Sequence, residues 1–270
     1  MMDKTALVER YAATPEQKIL YSHLLDLMLR AENRNVVTVS GFLSEAEAVG
    51  AERLLHGAGC RQCLLFGGYP EAERKCAVFL TDYCDAETVV AMPSLAEMIY
   101  VEAKVNKFDE DNAAFSHRDV LGSLMGLGLE RDVVGDIIAE GGQAVMVVKT
   151  SVAAFLKENL TKIGRYRVEV TLHETYALTP KVDFSEGYDT VASLRLDAVT
   201  ASIFKLSRGD ATDAIGSGLV AVNGIAVSKS DLAIKEGDKI SLRGKGKAVV
   251  DKIDGRSKKG RIRMRFRQYR

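Results

Sequence analysis

The stretch Ser193–Gly224, SLRLDAVTASIFKLSRGDATDAIGSGLVAVNG, decides how the C-terminal part of the chain is read. Leu196, Val199, Ile203 and Phe204 recur at helical spacing and form one apolar stripe. Ser207 is placed to cap a second helix, and Gly216 and Gly218 to stop it. LVAVNG then reads as a strand closing on an Asn-Gly turn, and GDKISLRG as another strand behind a Gly-Asp turn. From Leu206 to Gly224 there are one arginine and two aspartates, little basic charge for a nucleic-acid reader.

The flanking text supplies that charge. The 270 residues carry no net charge overall, with 37 basic and 37 acidic side chains. Residues 195–270 nevertheless hold 18 Lys and Arg against 8 Asp and Glu, and residues 1–194 hold 19 against 29. A basic segment of net +10 beside an acidic one of net −10 points to a polyanionic partner for the basic end. The final run KKGRIRMRFRQYR alternates arginine with Ile, Met, Phe and Tyr. As a strand it puts Arg261, Arg263, Arg265 and Arg267 on one face and Ile262, Met264 and Phe266 on the other. Lys252, Arg256, Lys258 and Lys259 surround an Asp-Gly pair that reads as the hairpin turn before it.

Upstream, PEQKILYSHLLDLMLRA is an amphipathic helix opened by Pro15. VVTVSGF reads as a strand, and a helix follows with Ser44 and Glu47 at capping-box spacing. RQCLLFGGYPEAERKCAVFLTD reads as two strands joined by a Gly-Gly-Tyr-Pro turn. In the middle, MIYVEAKV, a helix capped by Ser116, VVGDIIAE, QAVMVVK, the helix TSVAAFLKENLTKIG and RYRVEVTLHE give β-α-β-β-α-β. The fold class is therefore α+β in three small domains: an N-terminal α/β domain over 1–90, a ferredoxin-like or RRM-like domain over 91–178, and a third over 188–270. TPKVDFSEGYD, 179–189, reads as the linker. RRM domains stack bases on aromatics of two adjacent strands, and here Tyr100 is the only aromatic on either strand. A backbone-binding version stays open through Arg118, Arg131, Arg165 and Arg167.

No apolar run reaches the ~18–20 residues of a membrane span, and the first residues lack the apolar core of a signal peptide. The expectation is a cytoplasmic protein with no membrane partner. The four cysteines, Cys60, Cys63, Cys76 and Cys84, read as thiols in apolar surroundings. The CRQC pair has zinc-ligand spacing but no second pair to complete a tetrahedral set, so no metal is expected. His117-Arg118-Asp119 has the wording of a kinase catalytic loop, but Leu124 stands where the required Asn belongs and the companion motifs are missing. No P-loop, GxGxxG or HExxH is present, and neither a catalytic residue nor a cofactor is expected.

The ordered pattern Arg195-x-Asp197, Ser207-Arg208, Ala211, Ile215, Gly218, Val220, Val222-Asn223-Gly224 and Gly237-Asp238-x-Ile240 resembles the alpha-L RNA-binding domain, named after small-subunit ribosomal protein S-four. With LFGGYPEAERK and SHRDVLGSLMGLGLERDVVGDII upstream, nearly the whole chain resembles the YlmH-type RNA-binding proteins. That resemblance implies a C-terminal S-four-type domain with a basic hairpin tail, and a binding rather than catalytic role. It implies structured RNA as partner (ribosomal RNA, with tRNA alongside) on the large ribosomal subunit, including stalled ones, with no DNA specificity. With that motif and the charge pattern together, the residues expected to meet RNA are Arg195, Lys205, Ser207, Arg208, Asn223, Arg243, Lys245, Lys247 and the four tail arginines, with Arg118 and Arg131 as a secondary set. Arg208 is expected at the inter-helix turn with its guanidinium free to fork onto a phosphate. The chain departs from the family at Gly209-Asp210, where many members are basic. Two alternatives remain. One is an RNA-modifying enzyme of the pseudouridine-synthase kind, because RLDAVT resembles the catalytic stretch of some of those enzymes. Against it, Asp197 reads as a helix-start residue holding Arg195 or a backbone amide. The other is an adaptor whose acidic N-terminal half contacts protein.

Overall fold

The computed structural model describes residues 3–106, 114–178 and 184–269. They form two compact units, one within 1–179 and one within 180–270.

The first unit opens with α1 (Lys4–Tyr11) and α2 (Pro15–Arg34), followed by β1 (Thr38–Val39), α3 (Glu45–Gly57), β2 (Cys63–Phe66), β3 (Cys76–Phe79) and the short α4 (Ala86–Ala91). Pro15 stands in the first turn of α2, and Ser44 and Glu47 close a full capping box on α3. The strand read from VVTVSGF shrinks to β1, because the Ser40 hydroxyl takes the Ala77 N–H that a longer ladder would give to a carbonyl. The three strands form an antiparallel sheet ordered β1-β3-β2.

A second sheet follows: β4 (Met98–Val105), α5 (His117–Gly126), β5 (Val134–Glu140), β6 (Gln143–Lys149), α6 (Thr150–Asn159), β7 (Lys162–Ile163) and β8 (Tyr166–His173). Its order is β5-β6-β4-β8-β7, with antiparallel neighbours throughout. α6 stops at Asn159, short of the span read for it, because Lys162–Ile163 turn back along β8 around Gly164, whose φ of +57° suits glycine.

The strand period of two sorts this sheet's side chains cleanly. Val101, Ala103, Val105, Ala144, Met146 and Val148 pack on Val120, Leu124 and Leu156 of α5 and α6. Met98, Tyr100, Val145 and Val147 pack the opposite way, on Phe42, Phe66, Val78 and Val89. The segments read as domains 1–90 and 91–178 thus share one core. The GGYPEAERK stretch fastens them polar group to polar group. The Arg74 guanidinium donates to the carbonyls of Phe42, Arg131 and Val134 at 2.8–2.9 Å, and Asp136 accepts from the Tyr69 hydroxyl and the N–H groups of Glu73 and Arg74.

The second unit comprises β9 (Phe184–Val191), α7 (Leu196–Phe204), α8 (Arg208–Gly216), β10 (Val220–Val222), β11 (Ile225–Ala226), β12 (Lys239–Leu242), β13 (Gly246–Arg256) and β14 (Ile262–Tyr269). Its antiparallel sheet runs β11-β10-β12-β13-β14-β9, and both helices pack on it through Leu196, Val199, Ile203 and Ile215 against Val220, Ile240, Val250, Met264 and Phe266. Two readings are corrected here. Residues 184–189 are not linker but strand, paired residue for residue with β14, while 179–183 lie outside the described residues. Asp254-Gly255 is not the hairpin turn: it sits in a bulge of β13, and the chain reverses at Ser257–Gly260.

Candidate nucleic-acid interface

The elements of the second unit bring Arg195 and Arg208 together on the helix pair, put Arg263, Arg265 and Arg267 on one face of β14, and leave Arg243 and Lys245 in the β12–β13 turn. At the helix pair the organiser is Asp197. It opens α7, its residue is 4% exposed, and both carboxylate oxygens are engaged. Arg195 donates Nε to Oδ1 and Nη2 to Oδ2 at 3.3 and 3.2 Å, and Arg208 donates Nε and Nη2 to Oδ2 at 3.2 and 3.0 Å. The Ala198 N–H completes the set. Burial alone would raise the Asp197 pKa, but the arginine hydrogen bonds outweigh it and hold the carboxyl below the ordinary aspartate range. Arg208 is therefore not a free guanidinium. It is held at one edge by Asp197, and with its side chain 57% exposed it keeps N–H groups for solvent.

Lys205 ends α7 at φ +53°, a left-handed conformation that a lysine adopts at a cost, and its Nζ stands 4.0 Å from Asp189. Ser207 is occupied as the cap of α8, accepting from the Asp210 N–H. Asn223 is likewise occupied: it takes the left-handed place in its turn, donates to Asp238 and accepts from the Lys239 N–H. These two are scaffold for the turn rather than open donors. Arg243 and Lys245 lie exposed in the β12–β13 turn, and Lys247 lies over the Tyr269 ring at 5.7 Å.

Arg263, Arg265 and Arg267 lie on the outward face of β14, opposite the buried Met264 and Phe266, as the alternation implies, while Arg261 stands just before the strand. They are not four free charges. Arg261 donates to Thr190, Arg265 to Asp254, and Arg267 to both oxygens of Asp251 while covering the Phe184 ring at 4.7 Å. Arg263 makes no hydrogen bond or ion pair among the described residues and is exposed. Tyr188, 59% exposed, sits on β9 directly across from Arg265. It presents an exposed aromatic ring beside a guanidinium. Reading 179–189 as linker hid it, although the alternation Phe184-x-Glu186-x-Tyr188-x-Thr190 carries a strand signal.

Between β9 and the α7–α8 turn lies a cleft of about 380 Å³, lined in part by Lys205, Arg208, Arg261, Asp189, Thr190 and Ser202.

In the other unit, Arg118 is exposed in the first turn of α5. Arg131 is half-buried beside Arg74, and burial and that neighbouring guanidinium push its pKa down. Its Nη1 is buried with no hydrogen-bond partner among the described residues. Tyr100 is no stacking platform: it is 2% exposed, with its hydroxyl on the Gly68 carbonyl. The sheet face on which an RRM stacks bases is the one covered by Phe42, Phe66 and Val78.

The family model described as "Putative RNA-binding domain in YlmH" matches residues 100–177. The Ribosome-associated protein quality control protein P2 of Bacillus subtilis (strain 168) is 34% identical over 201 residues, which are 74% of this chain and 75% of that protein. The Cell division protein ylmH from Streptococcus pneumoniae superposes with a TM-score of 0.48 at 18% identity, covering 60% of this chain and 93% of that one. With its relative sharing that identity over three quarters of its length, the chain belongs to the YlmH-type family.

Proposed function

We propose that the protein is a non-catalytic RNA-binding factor that engages ribosomal RNA, with tRNA alongside, on the large ribosomal subunit, in the rescue or quality control of stalled ribosomes. The observation that carries this reading is the outward row of β14 guanidiniums with Tyr188 across from Arg265, together with the Arg195–Asp197–Arg208 cluster on the helix pair that packs on the sheet's other face. The family membership and the relative's name, ribosome-associated quality control, support the setting. In this reading the middle segment is a ferredoxin-like domain, which the β5-β6-β4-β8 order supports, and the C-terminal unit is an alpha-L domain with a hairpin appended. Arg118 is a secondary phosphate contact, and the cytoplasm is the site of action. No described helix is long and apolar enough to cross a membrane.

The enzyme alternative is disfavoured by Asp197 itself. A carboxylate buried at 4% exposure, with both oxygens held by guanidiniums, is poorly placed to reach a base.

Pelleting with purified large subunits across a salt series tests the proposal. Binding weakens log-linearly with a slope on the order of −4 to −8, because each neutralised phosphate releases counterions. Arg263→Ala and Tyr188→Ala each weaken binding by about 1–3 kcal/mol with unchanged melting. A flat salt response overturns the reading.

A further inference from the structure

A site that only bound phosphate would gain nothing from an ionised carboxylate, which repels the ligand. Yet the cleft beside α7 contains one. Asp189 is on the inward face of β9, opposite Met264, and its side chain remains 39% exposed. Its Oδ2 accepts from the Ser202 hydroxyl at 2.6 Å and its Oδ1 from the Thr190 N–H at 2.7 Å. Burial works to raise its pKa, but these donors and the nearby Lys205 and Arg261 charges prevail and hold it below the ordinary aspartate range. A carboxylate offers about four acceptor positions, so each oxygen retains one beyond the bonds to Ser202 and Thr190.

The rest of the cleft has two characters. Lys205, Arg208 and Arg261 are cationic and partly or fully exposed. Val191, Ala198, Ala201 and Leu206 give it an apolar wall of small and branched side chains. Its volume of about 380 Å³ falls within the ~300–1,000 Å³ of ordinary small-ligand pockets. Cations for a phosphate, an apolar wall for a ring and one acceptor pair for a ring edge are the three requirements of a nucleotide.

We propose, resting on the RNA-binding reading above, that this cleft receives one unstacked nucleobase of the bound RNA and selects guanine, with Asp189 accepting from its N1–H and N2–H groups while Lys205, Arg208 and Arg261 hold the adjoining phosphate. Guanine alone presents two adjacent donors on its Watson–Crick edge. Adenine turns the N1 lone pair toward the carboxylate, cytosine turns N3, and uracil flanks its single donor with two carbonyls, so each sets a lone pair against Asp189. Sequence-specific RNA recognition favours splayed bases read on that edge. Without the carboxylate's demand for two donors, the cleft would be indifferent to sequence.

The full chain is titrated with short uridine strands carrying one central guanosine, adenosine, cytidine or inosine. The guanosine strand binds about tenfold or more tighter than the adenosine strand, since a good bidentate pair discriminates at that level. The inosine strand, which keeps N1–H and lacks the exocyclic amine, falls between them. Asp189→Asn, which replaces an acceptor oxygen with a donor, levels the series. If that variant melts early, the guanosine-to-inosine ratio on the unaltered protein decides the matter alone. Equal binding of all four strands overturns the inference. Large-subunit pelleting on the same preparation separates the two failures: salt-sensitive pelleting with no base preference sinks only the guanine site, whereas no pelleting and no strand binding sinks the RNA reading beneath it.

Discussion

Asp197 links stability and charge presentation in one side chain. Arg195 and Arg208 both end on it, so deleting them together strips a buried carboxylate of its charged partners. The double alanine variant is accordingly expected to lose stability as well as RNA affinity, which makes it a poor test of binding alone. Asp197→Ala removes the anchor and leaves two half-exposed arginines that reach water, so it lowers unfolding free energy by about 1–3 kcal/mol in denaturant melts. The pH dependence has a definite sign. The folded-state pKa of Asp197 is depressed relative to the unfolded value of about 3.9, so its contribution is fully present above that value and is lost as pH falls through the folded pKa. Asp197→Asn therefore flattens part of the acid limb of the stability curve, and an unchanged acid limb would contradict the assignment. Lys205 shows the opposite pattern. Its left-handed backbone favours glycine, so Lys205→Gly leaves the melting temperature equal or higher while weakening RNA binding. A simultaneous fall in both would mean that Lys205 serves the turn and not the ligand.

At the scale of elements, local signals were legible where a side chain acts on its own backbone. Ser44 with Glu47, Ser116 and Ser207 cap the helices where the sequence places them. The Arg/apolar alternation of β14 gave its two faces. Illegible were features set by a distant partner. β9 is rich in polar residues and carries a glycine, and what makes it a strand is β14, some eighty positions later in the chain. Asp254-Gly255 carries a turn signal that the long β13–β14 register overrides, leaving Gly255 at φ +54° in a bulge. The same distance hid Asp189 and Tyr188 from the candidate site. α4 is too short for a periodic signature. The β9–β14 pairing also explains Gly187. A Cβ there would overlap the Phe266 ring, which is buried in the core of the second unit. Gly187→Ala is expected to cost about 1–3 kcal/mol by overpacking, and paired replacement with Phe266→Leu recovers part of it. Additive losses in that double variant would show that the two positions do not compete for the same space.

At the scale of the whole molecule, the charge asymmetry and the division into compact units tell the same story. The basic excess of net +10 lies within residues 195–270, inside the second unit, whose core cluster draws only on residues from Val191 to Phe266. The three other core clusters draw only on residues up to Leu178. Composition could read the charge split but not the fusion of the first two segments, which depends on Arg74 and Asp136 meeting across sixty-odd positions. Because each unit owns its core, residues 180–270 expressed alone are expected to fold with a cooperative melt. That fragment carries β9, the cleft and every proposed RNA-contacting cation except Arg118, which belongs to the other unit. It should therefore retain most of the salt slope for ribosomal RNA, since the slope counts phosphates neutralised and not total affinity. The fragment 1–179, acidic overall and with its sheet covered on both faces, should show little slope of its own. Measuring the slope for both fragments and the full chain on one RNA separates the cases. If the slope of 1–179 matches that of the full chain, the phosphate contacts belong to Arg118 and its surroundings, and the C-terminal face must be given another role.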